Sequence, residues 1–294
     1  MRMRAWMRLI AMALLALPLG RPAAAQRPTA AQDRYFVTSD GVRLHFIEAG
    51  PRTGHTIVFV PGWTMPAWIW GPQIQAFGQR YHVVAFDPRG QGDSDAPLSG
   101  YEPVRRGQDI AELLADLEPA PAVLVGWSLG VLDTLAFVRG HGDLHVAGLV
   151  LVDNSVGEEP PPPPRTPRRR VTPVLPHDEA MHRFVAAMFR HRPSDDYLDR
   201  LTEATLHTPE QASRALLNYP FPRTYWRDTL YATERPVLYV VRPGWLSEQA
   251  ANLAHNRPGT QIAVFGNVGH ALFVDDAARF NALLAGFLTR TVWP

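Results

Sequence analysis

An α/β domain is what this sequence predicts: a mostly parallel central sheet of about eight strands, flanked by helices, with a helical cap inserted after the sixth strand. Three observations carry that reading. Short runs that are apolar throughout recur along the chain, as strands covered on both faces require. Patterns of helical periodicity lie between them, as crossover connections do. One stretch, 156–233, breaks the alternation and reads as helical, with few β runs.

Residues 34–48, RYFVTSDGVRLHFIE, form two strands around the Ser39-Asp40-Gly41 turn and supply an antiparallel edge. TIVFV (56–60), HVVAF (82–86), AVLVG (122–126) and AGLVLV (147–152) are the next four strands. PVLYVV (236–241) and TQIAVF (260–265) are the last two. RGQDIAELLADL (106–117) and VLDTLAFVRG (131–140) are helices between them. EEPPPPPRTPRRR (158–170) is too stiff and polar for a core element, and its Arg168–Arg170 end reads as a solvated loop. Residues 178–231 then carry three helical patterns, with Ser194 and Thr208 at N-cap positions, Thr208 just ahead of Pro209. The core therefore divides into 26–155 and 234–294, with a proline-rich linker and helical cap over 156–233.

Residues 1–25 are set apart. Arg2, Arg4 and Arg8 precede the apolar run LIAMALLALPLG (9–20), and Ala23 and Ala25 follow. That is the pattern of a secretory signal peptide cleaved after Ala25, so a secreted or periplasmic protein is expected. The run falls short of the ~20 apolar residues of a membrane span, so no stable membrane anchor is expected. There is no cysteine, hence no disulfide or cysteine-linked lipid, and stability must come from the core. All 29 basic residues are arginine, which removes Schiff-base and lysine chemistry. Losing residues 1–25 removes four arginines and no acid, turning a net charge of +1 into −3. That balance argues against a nucleic-acid or anionic-membrane partner.

The chemistry centres on VLVGWSLG (123–130), a buried strand that ends on a serine between two glycines. Gly126-Trp127-Ser128-Leu129-Gly130 sits between a strand and a helix, the setting of a nucleophile elbow, where a tight turn lifts the serine hydroxyl above the sheet edge. A serine needs a base, and the base an orienting group. FVPGWT (59–64) follows the third strand, where the N–H of Trp63 can pair with that of Leu129 to hold an oxyanion. FDPRGQGDSD (86–95) is a polar turn whose charges Asp87, Arg89, Asp93 and Asp95 read as scaffold. GNVGHALFVDD (266–276) follows the last strand and puts His270 in a loop before the final helix, alone among the histidines in doing so.

With these motifs in order, residues 34–290 resemble the α/β-hydrolase superfamily, in its capped branch of esterases, haloperoxidase-like and epoxide-hydrolase-like enzymes. The resemblance implies the α/β-hydrolase fold, Ser128 as nucleophile, His270 as base, and Trp63 and Leu129 as oxyanion donors. Two departures stand out. The usual His-Gly before the oxyanion residue is Pro61-Gly62 here. The orienting acid of the family follows the strand PVLYVV, where this chain has RPGWLSEQ (242–249) and Trp245 at the expected position. Asp153, at the end of the neighbouring strand, is the first replacement, since some superfamily members draw their acid from there. Glu248 is the second, if the loop folds back. Glu158 or Glu159 is the third and Asp275 or Asp276, which also read as helix caps, the fourth, with a dyad without an acid beside them.

The implied reaction is carboxylic ester hydrolysis through a Ser-His-Asp acyl-enzyme, on a small-molecule or polymeric ester, with no metal or organic cofactor. A nucleophilic aspartate would be needed for an epoxide hydrolase or dehalogenase, and Ser128 stands in that position. Trp127 and the cap residues Tyr219, Phe221 and Tyr225 are candidates to line the substrate pocket, with cap-to-core packing as their alternative role. A cofactor-free perhydrolase, an amide, peptide or C–C bond hydrolase, and a catalytically silent binding protein of the same fold remain open.

Overall fold

The computed structural model describes residues 30–117, 121–164 and 175–294. Residues 1–25, and with them the expected signal peptide, lie outside the described residues. β1 (Gln32–Val37) and β2 (Arg43–Ala49) form the opening antiparallel hairpin, and β3 (Thr56–Val60) follows. A 3-10 turn at Ala67–Trp70 leads into α1 (Gly71–Phe77), β4 (His82–Phe86) and α2 (Pro103–Asp116). β5 (Ala122–Trp127), α3 (Leu129–His141) and β6 (Val146–Val152) complete the first part of the core. Among the described residues four helices intervene: α4 (His177–Ala187), α5 (Asp195–His207), α6 (Glu210–Leu216) and α7 (Arg223–Ala232). The core resumes with β7 (Val237–Val241), α8 (Trp245–Asn256), β8 (Gln261–Val264), α9 (Leu272–Asp275) and α10 (Ala277–Phe287).

The strands form one eight-stranded sheet in the order β1-β2-β4-β3-β5-β6-β7-β8. β2 is antiparallel to both its neighbours, and every pairing from β4 to β8 is parallel. Side chains alternate across the pleat, so the inner strands feed two cores, while β1 at the edge is exposed at five of its six positions. Val58, Val60, Leu124 and Leu151 pack with Ile110, Leu113, Leu135 and Leu253 of the helices on one face. Phe59, Val123, Val125 and Val152 pack with Trp70, Phe280 and Phe287 on the other. Burial on both faces is why these strands are apolar at every position.

Ser194 caps α5 as expected, accepting the Tyr197 N–H at 3.3 Å. Thr208 does not cap α6, because Pro209 takes the N-cap position and the helix begins at Glu210. The segment 242–249, read as a loop, turns helical from Trp245, where Gly244 at φ 125° lets the chain leave the strand direction. Among the described residues no helix is long and apolar enough to cross a membrane.

Candidate active site

The C-terminal ends of parallel strands gather at one sheet edge, the place where α/β sheets hold their ligands. β5 and β6 run in register from Val123 beside Gly148 to Trp127 beside Val152, and Val152 in turn lies beside Val240 of β7. Ser128 and Asp153, each the residue after its strand, are thereby placed side by side.

Ser128 turns the chain from β5 into α3 at φ 53°, ψ −118°. A non-glycine residue held there costs about 1–3 kcal/mol and persists only where its surroundings enforce it. The enforcement is visible. Its N–H donates to Val152 O at 2.9 Å, and its carbonyl accepts from Val131 N–H at 3.0 Å and from Asn154 Nδ2 at 2.7 Å. The flanking glycines are required by close approach: a Cβ on Gly126 would lie 2.4 Å from Gly130 O, and one on Gly130 would lie 2.3 Å from Val60 O.

His270 Nε2 stands 2.9 Å from Ser128 Oγ, and its Nδ1 stands 2.7 Å from Asp153 Oδ2. An ionised carboxylate only accepts, so Nδ1 carries the proton and Nε2 is free to accept from the serine hydroxyl. Burial pushes the Asp153 carboxyl up, but the His270 hydrogen bond and charge, with Arg242 beside it, outweigh burial and hold it below the usual carboxylate range. The histidine loop is braced from three sides. Trp127 Nε1 donates to His270 O at 2.9 Å, Gly269 N–H donates to Asp275 Oδ2 at 2.6 Å, and Ala271 N–H donates to Met188 O at 3.0 Å.

Leu129 opens α3, so its N–H has no partner within the helix and lies at the positive end of the helix dipole. The Trp63 N–H meets no acceptor among the described residues. Its loop is held by the buried Gln91, whose Oε1 accepts Thr64 N–H at 2.8 Å while Nε2 donates to Gly62 O at 3.1 Å and Met65 O at 3.2 Å. Asp87 accepts from Ala67 N–H and, at 3.0 Å, from Asp93 N–H. The polar turn 86–95 is therefore the support of the loop that carries Trp63. The Trp63 indole reaches the cap, donating to Ser213 O at 2.7 Å and meeting Phe184 edge-on.

Other candidates lie elsewhere. Glu248 sits in the first turn of α8 and makes no bond to His270, whose Nδ1 is taken by Asp153. Glu158 accepts from Tyr231, and Glu159 pairs with Arg223 at 3.4 Å. Asp276 caps α10, as expected, while Asp275 does not: it binds Gly269 and Arg190 N–H groups and ties the histidine loop to the cap. Trp127 is fully buried and presents no surface to a substrate. Its place in the Val123-Val125-Trp127 alternation points it into the core, against Phe273 and beneath His270. The cap aromatics also pack rather than line the site. Phe221 stacks on Tyr225 at 4.2 Å, and Arg139 lies over the Tyr225 ring at 5.5 Å. Arg139 is eleven residues beyond Ser128, about 16 Å along α3 at 1.5 Å per residue. Tyr219 is partly exposed and lies by the buried Arg106 and Asp133. Gln91, Asn154 and Arg242 are not singled out by the sequence for any part in the site, and Asp275, weighed there as a replacement acid, instead braces the histidine loop.

Residues 57–283 match the model of a family described as the alpha/beta hydrolase family. N-formylmaleamate deformylase of Pseudomonas putida is 28% identical over 265 residues, which cover 86% of this chain and 95% of that protein. A non-heme chloroperoxidase of Streptomyces lividans is 36% identical over 116 residues, 39% of this chain, so the match spans only 42% of that protein's length. An esterase from Rhodococcus sp. ECU1013 superposes with a TM-score of 0.72 at 25% identity, covering 88% of this chain and 98% of its own.

Proposed function

This chain belongs to the alpha/beta hydrolase family and is a hydrolase, and from that premise we propose that it is an exported serine hydrolase of carboxylic esters working through an acyl-enzyme. The observation that carries the reading is the continuous chain Ser128 Oγ, His270, Asp153, at 2.9 Å and 2.7 Å. His270 Nε2 takes the hydroxyl proton as Ser128 Oγ attacks the acyl carbonyl, and the Trp63 and Leu129 N–H groups hold the oxyanion. Collapse of that intermediate expels the alcohol, which takes its proton from His270. Water then enters, gives a proton to His270 and attacks the ester on Ser128. The acid leaves, and the proton returns to Ser128. Asp153 fixes the tautomer and stabilises the imidazolium in both halves of the cycle.

A fluorophosphonate probe tests the nucleophile: labelling confined to Ser128 and lost in Ser128→Ala supports the reading, and labelling of another serine, or none, overturns it. A panel of chromogenic esters, lactones, amides and peracid assays decides among bond types, with the esters expected to be turned over fastest. Export rests on the residues of the leader. The protein recovered from outside the cytoplasm is expected to begin at Gln26, and an intact Met1 on membrane-embedded protein contradicts it.

A further inference from the structure

The carboxylate of Asp153 has a second cation on it. Arg242, the first residue after β7, donates from Nε to Asp153 Oδ2 at 2.6 Å and from its backbone N–H to Oδ1 at 3.1 Å. The same Oδ2 accepts from His270 Nδ1 at 2.7 Å. Three donors thus surround one buried carboxylate, on a residue whose own backbone stands at φ 51°. The backbone N–H of residue 242, which any side chain there leaves in place, holds Oδ1, and the Arg242 Nε adds a second, charged donor to Oδ2 beside His270 Nδ1, so that Oδ2 rather than Oδ1 is drawn to the His270 side before any substrate binds. The Arg242 side chain is 39% exposed, and its two terminal nitrogens find no acceptor among the described residues. It costs little desolvation, and water or a small solute can reach its position.

We propose that Arg242 is a positioning residue of this site, holding the Asp153 carboxylate so that Oδ2 faces His270 throughout the cycle. Arg242 stands after the strand from which the family's resemblance leads one to expect the acid. A cation there grips the acid on the adjacent strand. The proposal rests on the serine-hydrolase reading, and it adds a residue which touches neither substrate nor the reacting atoms.

The test measures kcat and KM for p-nitrophenyl acetate in wild type, Arg242→Ala, Arg242→Lys and Ser128→Ala, with melting temperatures. Full loss of an orienting acid costs about 10²–10⁴-fold, and a loosened one is expected to lose about tenfold in kcat. KM and melting temperature should stay close to wild type. Added guanidinium, well below denaturing concentrations, is expected to restore part of the lost kcat in Arg242→Ala and to do nothing for wild type. Lysine keeps the charge without the planar fork and should fall between. A folded Arg242→Ala with wild-type kcat, or a loss that guanidinium does not relieve, overturns the proposal. If Arg242→Ala does not fold, Arg242→Lys decides, by a several-fold loss in kcat at constant KM or by none. Wild-type turnover that Ser128→Ala does not abolish overturns the parent reading and this one together. Ser128-dependent turnover with an indifferent Arg242 overturns this one alone.

Discussion

Replacing Asp153 by Asn is the perturbation whose size the structure allows to be worked out. The side chain keeps its shape, so the core around this buried residue and the Val240 O contact of its N–H at 2.8 Å should survive. What changes is charge and polarity at Oδ2, the atom 2.7 Å from His270 Nδ1. The imidazolium formed as Ser128 attacks loses a full negative charge at about 4 Å between charge centres. At an effective dielectric of about 20 that interaction is worth about 4 kcal/mol. Each 1.36 kcal/mol is tenfold in rate, so kcat should fall about 10³-fold. An amide NH₂ turned toward Nδ1–H also disfavours the required tautomer, which adds to the loss. Arg242 loses its partner but is exposed enough to find water. Steady-state hydrolysis of p-nitrophenyl acetate, with KM, circular dichroism and melting temperature alongside, measures the effect. Glu248→Gln in the same assay should stay within about twofold. A folded Asp153→Asn within threefold of wild type, or a Glu248→Gln loss of equal size, refutes the reasoning.

Two further outcomes follow from groups outside the Ser128–His270–Asp153 hydrogen-bond chain. Trp127→Phe removes the 2.9 Å bond to His270 O; it should cost about 1 kcal/mol of stability, a few degrees in Tm, and several-fold in kcat with KM unchanged. A changed KM at constant kcat would instead make Trp127 a substrate contact. The second concerns Asp133, whose carboxyl burial pushes up to about 6, the Arg106 guanidinium only partly offsetting it. That guanidinium stands 3.0 Å away but out of hydrogen-bonding alignment. A carboxyl raised in the folded state leaves that state holding more protons, so its contribution favours folding at low pH and is lost as pH rises from about 4 to about 6. Urea unfolding of wild type against Asp133→Asn should show wild type losing on the order of 2–3 kcal/mol relative to the variant over that window. A difference independent of pH contradicts it.

The strands were legible because burial on both faces leaves an unbroken apolar run, as in TIVFV and HVVAF, which match β3 and β4 residue for residue. Ser128 was legible for a different reason: the elbow demands small neighbours, and Gly126 and Gly130 are where a Cβ would strike backbone. Trp127 was misread, although the information was present. Val123, Val125 and Trp127 share one face of β5, and that face is covered by the helix layer that holds Phe280. Proximity to the nucleophile suggested a pocket wall where strand parity requires core. The cap aromatics failed on distance, since no local pattern says that Tyr225 meets α3 at Arg139 rather than near Ser128. Arg242 was illegible because its role depends on β6 and β7 lying side by side, and it stands 89 positions along the chain from Asp153. Gln91 hid inside a turn read correctly as scaffold, its hold on the Trp63 loop visible only in three dimensions.

Covalent acylation of Ser128 is the step on which the proposed mechanism turns, and rapid mixing with p-nitrophenyl acetate tests it most directly. We expect a burst of p-nitrophenol equal to the enzyme concentration, followed by a slower steady rate. Acid quenching in the burst should leave an acetyl group on the peptide that carries Ser128 and on no other. Turnover with no acetyl on Ser128 in the burst, or steady hydrolysis that persists in Ser128→Ala, contradicts it.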